Sequence, residues 1–183
     1  MEIRRARPEE VDALHAIVER AYGHYVERIG RRPAPMDDDY AARVTGGVVD
    51  VAEHDGELLG LIVLVASETC LLVESLAVDP SRQGRGVGRA LLAHAETTAS
   101  HLGLAELRLY TNAAMTENLT LYPRLGYREV DRRNENGFER VFFSKPSSPR
   151  STYVVIGAAE HPSRAGCRTC SLSPVPPGPP TSP

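Results

Sequence analysis

This chain has no excess of charge of either sign. Lys and Arg number 21 against 24 Asp and Glu, for a net charge of −3. That balance excludes a protein built to coat nucleic acid. Cysteine is sparse as well. Cys70, Cys167 and Cys170 form no even-numbered framework, and Cys70 lies in an apolar, strand-like run where a buried free thiol is the simple reading. No apolar leader is visible, because Met1-Glu2-Ile3-Arg4-Arg5 runs into a charged amphipathic segment. Residues 58–78 are the one long apolar stretch. Glu68 and Glu74 interrupt it, with Ser67 and Thr69 beside the first, so two strands joined by a turn are expected rather than a membrane span. A length of 183 residues suits one domain with a proper core and is short for two. The expectation is a soluble, cytoplasmic protein with neither a membrane nor a nucleic-acid partner.

What is present centres on Val78-Asp79-Pro80-Ser81-Arg82-Gln83-Gly84-Arg85-Gly86-Val87-Gly88-Arg89. Three glycines in five residues let the backbone bend tightly and approach a ligand closely. Their amides, with the first unbonded N–H groups of a following helix, form a cup for an anion. The helix dipole and the charges of Arg82, Arg85 and Arg89 add to it. The chemical inference is a pyrophosphate site. A P-loop needs Lys and Ser or Thr after its last glycine, whereas Arg89 and Ala90 follow Gly88. The dinucleotide pattern G-x-G-x-x-G fails at Arg89. Gln83, Gly86 and Gly88 fit Q-x-x-G-x-G.

In chain order, residues 1–5 suggest a short strand. Pro8 stands where a first helical turn accepts proline, and Glu9 and Glu10 suit the positive end of the helix. Val11, Leu14, Val18, Ala21, Tyr22 and Tyr25 make one apolar stripe, with Tyr22 and Tyr25 either core and rim or the mouth of a substrate site. An irregular helix is expected over residues 37–45, ended by Gly46-Gly47. Residues 48–53 and 58–66 form a hairpin across Asp55-Gly56. Residues 71–78 are the strand that delivers the glycine turn, and a helix follows over 87–102. A strand at 107–111, a short helix at 115–124 and strands near 127–130 and 138–144 complete the order. The pattern predicts an α/β (α+β) fold, a mixed and mostly antiparallel sheet flanked by helices, with one parallel crossover after the glycine turn.

A second motif lies in Asn118-Leu119-Thr120-Leu121-Tyr122-Pro123-Arg124-Leu125-Gly126-Tyr127. Asn118 and Tyr122, four apart, share one helical face, and Pro123 hints at a kink or early end. Together with the glycine turn, this segment resembles the GNAT acetyltransferase superfamily, whose acetyl-CoA signature is Q-x-x-G-x-G and whose later helix ends in Leu-Tyr-x-x-x-Gly-Phe/Tyr. The stretch Gly30-Arg31-Arg32-Pro33-Ala34-Pro35-Met36 with Asp39-Tyr40 also resembles an uncharacterised bacterial branch of it. The resemblance covers residues 1–145 and implies the GNAT fold with a sheet of about seven strands.

It further implies acetyl transfer from acetyl-CoA, as co-substrate, to a small-molecule or protein amine, directly in a ternary complex and with no metal. The strand through Leu76, Ala77 and Val78 would pair with the pantetheine arm. Gln83, Gly84, Arg85, Gly86, Val87, Gly88 and Arg89 would hold the pyrophosphate. Asn118 would touch the pantetheine or adenosine side, and Tyr122, beside the sulfur, would act as general acid. Glu74 is the candidate base, directly or through a water; as a residue it reads equally as an exposed strand carboxylate. Met36-Asp37-Asp38-Asp39 reads as solvated caps or as an attraction for a cationic amine. A non-catalytic acetyl-CoA-binding sensor is the alternative, against which Tyr122 and Glu74 together favour the enzyme. A homodimer is compatible with all of this.

Past residue 145 the family pattern ends. Nine of the fourteen prolines fall in residues 146–183, which reads as a disordered tail. Cys167, Cys170 and His161 supply three zinc ligands where a structural site takes four, so no metal is expected.

Overall fold

The computed structural model describes residues 1–147. Strand β1 (Glu2–Arg5) is followed by a single 3-10 turn at Pro8–Glu10, in which the Glu10 carboxylate accepts from the Arg7 amide at 2.8 Å. Helix α1 (Val11–Tyr22) buries Leu14, Ile17, Val18 and Ala21. The apolar stripe expected to run on to Tyr25 divides at Gly23-His24, and Tyr25 opens a separate short helix, α2 (Tyr25–Ile29). Helix α3 (Tyr40–Thr45) starts later than the expected residue 37, because Asp39 caps it through the Ala42 amide at 2.9 Å.

Strands β2 (Val49–His54) and β3 (Glu57–Ala66) form the hairpin. Asp55 and Gly56 both hold positive φ, +52° and +79°, the pair a two-residue hairpin turn requires. Strand β4 (Cys70–Val78) leads through the glycine turn to α4 (Val87–His101). Strand β5 (Glu106–Asn112), helix α5 (Thr116–Arg124), and strands β6 (Arg128–Glu135) and β7 (Phe138–Pro146) follow. Pro123 lies in the last turn of α5, which ends one residue later at Arg124 with the Leu125 amide bonded back to the Leu121 carbonyl. β7 pairs as far as Pro146 opposite Glu106, and the Ser147 amide donates to the Ala105 carbonyl at 2.8 Å. The expected Pro-rich tail, with its cysteines and His161, lies outside the described residues.

The sheet order is β1-β2-β3-β4-β5-β7-β6, mixed, with β4 and β5 as its parallel pair. One face packs on α4 and α5 through residues such as Leu91, Ala95 and Tyr122, the other on α1 and α3 through Leu14, Ile17 and Tyr40.

A single extra residue sets the functional geometry. Over Leu61–Leu64, past its own irregularity opposite β2 at Leu59, β3 alternates, with Ile62 and Leu64 facing α4 and Leu61 and Val63 facing α1. In β4, Val73 lies opposite Leu64 and Ser75 opposite Val63, so Glu74 is left over as a bulge. A one-residue insertion inverts the faces of everything beyond it. Leu71 and Val73 therefore join the α4 side, while Ala77, an even number of residues further on, joins the α1 side.

Gly60 supports the far end of this strand. A Cβ there would stand 2.6 Å from the Ala77 carbonyl oxygen and 3.2 Å from the Val78 Cα. Gly60→Ala is expected to destabilise by about 1–3 kcal/mol, read as a lower urea midpoint. Gly88→Ala, whose Cβ would meet Val78 at an ordinary 3.5 Å, is expected to leave the midpoint within error.

Candidate active site

β4 and β5 pair only over Cys70–Val73 and Glu106–Leu109. Beyond that point β4 keeps only β3 as a neighbour and β5 keeps only β7, so the parallel pair opens like a V. The inner edge of Glu74–Val78 offers backbone groups that a ligand with its own amides can take up. One is already engaged: the Leu76 carbonyl accepts from the Tyr22 hydroxyl at 2.8 Å.

The glycine turn closes one end of the V. Asp79 accepts from the Ser81 amide and hydroxyl at 2.9 and 2.7 Å and from Arg20 at 2.7 and 2.9 Å, which fixes the turn to α1. The Gln83 side-chain amide donates to the Val78 carbonyl at 3.3 Å. Gly84 and Gly86 hold φ of +73° and +83°, a conformation open to glycine at little strain. Gly86 precedes the first turn of α4 and carries no side chain that could cap it, so the leading amides of the helix remain available to an anion.

A cavity of about 570 Å³ runs from this cup along the open strand edge. Of the residues expected at the cofactor side, Leu76, Val78, Gln83, Gly84, Gly86, Val87, Gly88, Arg89 and Asn118 line it. Ala77 and Arg85 do not. Ala77 is buried in the α1-side core, and Arg85 is exposed. Nor does Arg82, which is committed to Glu57 at 2.5 Å, so Arg89 is the arginine of the turn that faces the cavity.

Both candidate catalytic residues line the same space. Glu74 is half-buried, and its carboxylate sits 2.9 Å from Arg43, which also engages Asp38 at 3.1 Å. It is thus an ion-paired carboxylate and not a freely solvated one. Tyr122 is 7 % exposed, with its ring 5.4 Å from Phe143 and 5.9 Å edge-on to Tyr127. Burial pushes its phenol well above the usual tyrosine range, so it stays protonated and is a weaker acid than a solvated tyrosine. Asn118 donates to the Thr111 hydroxyl at 2.9 Å, which fixes its orientation toward the cavity.

Tyr22 and Tyr25, read as core and rim or as the mouth of a substrate site, both line the cavity, and Tyr22 also packs against the α1-side core. Other residues at the site escaped the reading of the sequence. Tyr110 also lines the cavity, its phenol pushed up to about 12 by burial. The signal for Tyr110 was available: an aromatic ring on the outward face of a strand whose Leu107 and Leu109 point inward. Phe138 and Arg140, which line the cavity, and Arg43, which does not but pairs with Glu74, gave no such signal, each lying far in the chain from the residues it meets. The Asp37-Asp38-Asp39 run serves as ion-pair partners and a cap, and none of the three reaches the cavity.

The Acetyltransferase (GNAT) family matches this chain over residues 11–127. The chain belongs to that family. Among curated relatives, the mycothiol acetyltransferase of Clavibacter sepedonicus is 32% identical over 125 residues, 67% of this chain and 41% of the relative. The GNAT chain therefore spans about two fifths of that protein's length. In fold it is similar to the PaiA N-acetyltransferase of Thermoplasma acidophilum, solved in complex with coenzyme A (TM-score 0.68, 17% identity, 79% of this chain and 98% of that one). It is also similar to the ribosomal-protein-S18-alanine N-acetyltransferase of Escherichia coli (TM-score 0.66, 20% identity, 85% of this chain and 99% of that one). No helix among the described residues is long and apolar enough to cross a membrane.

Two outcomes are expected. Gly86→Glu, which sets a carboxylate and a disfavoured φ in the cup, should abolish acetyl-CoA binding in calorimetry at concentrations that saturate the parent protein. The second concerns Tyr40, Tyr122 and Tyr127, all held above the usual tyrosine range by burial. Below about pH 10 the phenols are neutral in both folded and unfolded chains; above it the unfolded chain ionises first, so stability falls as pH rises. Urea midpoints at pH 8, 10 and 11 should decline, and less steeply in Tyr127→Phe.

Proposed function

We propose that this GNAT chain transfers an acetyl group from acetyl-CoA to an amine, directly and without an acyl-enzyme. One observation carries the reading. The anion cup, the open edge of β4, Glu74 and Tyr122 border a single continuous cavity. A ligand with a pyrophosphate at one end, an amide-bearing arm and a reactive thioester at the other matches that order of features. The curated relatives named as acetyltransferases support the same chemistry.

In this reading the pyrophosphate takes the amides of residues 83–89, with Arg89 adding charge, and the pantetheine arm extends the sheet along Leu76, Ala77 and Val78. Asn118 contacts the arm. An amine near its ordinary pKa of about 10 is mostly protonated at neutral pH and cannot attack a thioester. Glu74, directly or through a water, takes that proton. Arg43 orients the carboxylate from behind. The freed nitrogen then attacks the thioester carbon while a backbone N–H near Leu76 polarises the carbonyl oxygen. The C–S bond breaks, and the departing thiolate receives a proton from the Tyr122 phenol. The second proton of the nitrogen passes through water to the tyrosinate, and Glu74 releases the first to solvent. A cytoplasmic setting, where acetyl-CoA is at hand, agrees with the free and buried Cys70.

Tyr122→Phe and Glu74→Gln are each expected to lower kcat about tenfold or more while leaving acetyl-CoA affinity unchanged, measured as amine-dependent thiol release and by calorimetry. If neither variant slows turnover, the assigned roles are wrong.

A further inference from the structure

The acceptor end of the cavity differs from its cofactor end in both chemistry and closure. Its walls are the rings of Tyr22, Tyr25, Tyr110 and Phe138, with Glu74 at the floor. The other charged groups there are already matched. Glu117 faces Arg28 at 2.8 Å, and Arg140 lies 4.2 Å over the Tyr110 ring while pairing with Glu135 at 2.6 Å. Polyamines and aminoglycosides carry several ammonium groups and need several uncommitted carboxylates. This end offers them none beyond Glu74, itself shared with Arg43.

Closure points the same way. Residues 25–35 cross the mouth and are tied to the opposite wall. Arg28 reaches Glu117 and also the Ala114 carbonyl at 3.4 Å. Arg31 donates to the Asn136 carbonyl at 3.2 Å and stacks 4.1 Å over Phe138. The β6–β7 turn brings Gly137, held at φ +77°, against the Arg31 guanidinium. A peptide laid across the sheet would have to break these ties. A compact molecule entering amine-first would not.

We propose that the acceptor is a small monoamine with an aromatic body, its ammonium against Glu74 and its ring among Tyr22, Tyr25, Tyr110 and Phe138, and that Arg28 and Arg31 bar peptide chains. The inference rests on the acetyl-transfer reading. Arg28, Arg31 and Arg140 already cover one face of Tyr25, Phe138 and Tyr110 respectively, so packing of an aromatic body against what these rings leave uncovered, with the ammonium held by Glu74, supplies the selectivity.

The test measures thiol release from acetyl-CoA with 2-phenylethylamine, spermidine, kanamycin and a hexapeptide with a free N-terminus. The expected result is a kcat/KM for 2-phenylethylamine at least tenfold above each of the others. Phe138→Ala and Tyr25→Ala should each raise the KM for 2-phenylethylamine about tenfold and leave the KM for acetyl-CoA unmoved; Tyr25, less buried, serves where Phe138→Ala melts early. Arg28→Ala combined with Arg31→Ala should admit the hexapeptide. Faster release with spermidine, kanamycin or the hexapeptide in the parent protein overturns the acceptor class and leaves acetyl transfer standing. Thiol release with none of the four, from protein that binds acetyl-CoA, overturns both.

Discussion

Most of what matters in this molecule depends on one inserted residue. The bulge at Glu74 turns the rest of β4 over, so that Ala77 packs on the opposite face from Val73. Pairing with β5 stops at Val73, where the strand begins to turn. A fully paired sheet would bury this edge in hydrogen bonds and leave no room between the strands. The bulge instead yields an open backbone edge, and it sets a carboxylate at the point of divergence.

The two ends of the resulting cleft are built on different physics. At the glycine turn the binding elements are backbone amides and one helix terminus, which suit a diffuse negative charge and need little from side chains. At the other end aromatic rings and one ion-paired carboxylate dominate, and shape counts for more than charge. Between them Tyr122 and Asn118, one helical turn apart on α5, face the junction.

The legible part of the structure was the part with local causes. The glycines at 84, 86 and 88 announce their turn, because positive φ and close backbone approach are properties of the residue itself. Alternation in residues 107–111, the Asp-Gly hairpin and the Asn118–Tyr122 spacing are equally local. The bulge was not legible. Residues 71–78 are apolar on both faces apart from Glu74 and Ser75, so no change of alternation marks where the faces invert. Arg43 meeting Glu74, or Arg31 lying on Phe138, joins residues 31 and 107 positions apart, and nothing in a linear sequence predicts which of many arginines arrives. The division of the first helix at Gly23 was missed for a related reason. The apolar spacing continues through it, while the chain changes direction.

Arg20 and Tyr22 sit two residues apart near the end of α1. The first grips Asp79 at the base of the phosphate-side turn, and the second holds the Leu76 carbonyl at the edge of the V. The last turn of this helix is therefore a mechanical link between the two halves of the cleft. A substitution at either residue in this last turn bears on the glycine turn and on the open strand edge together.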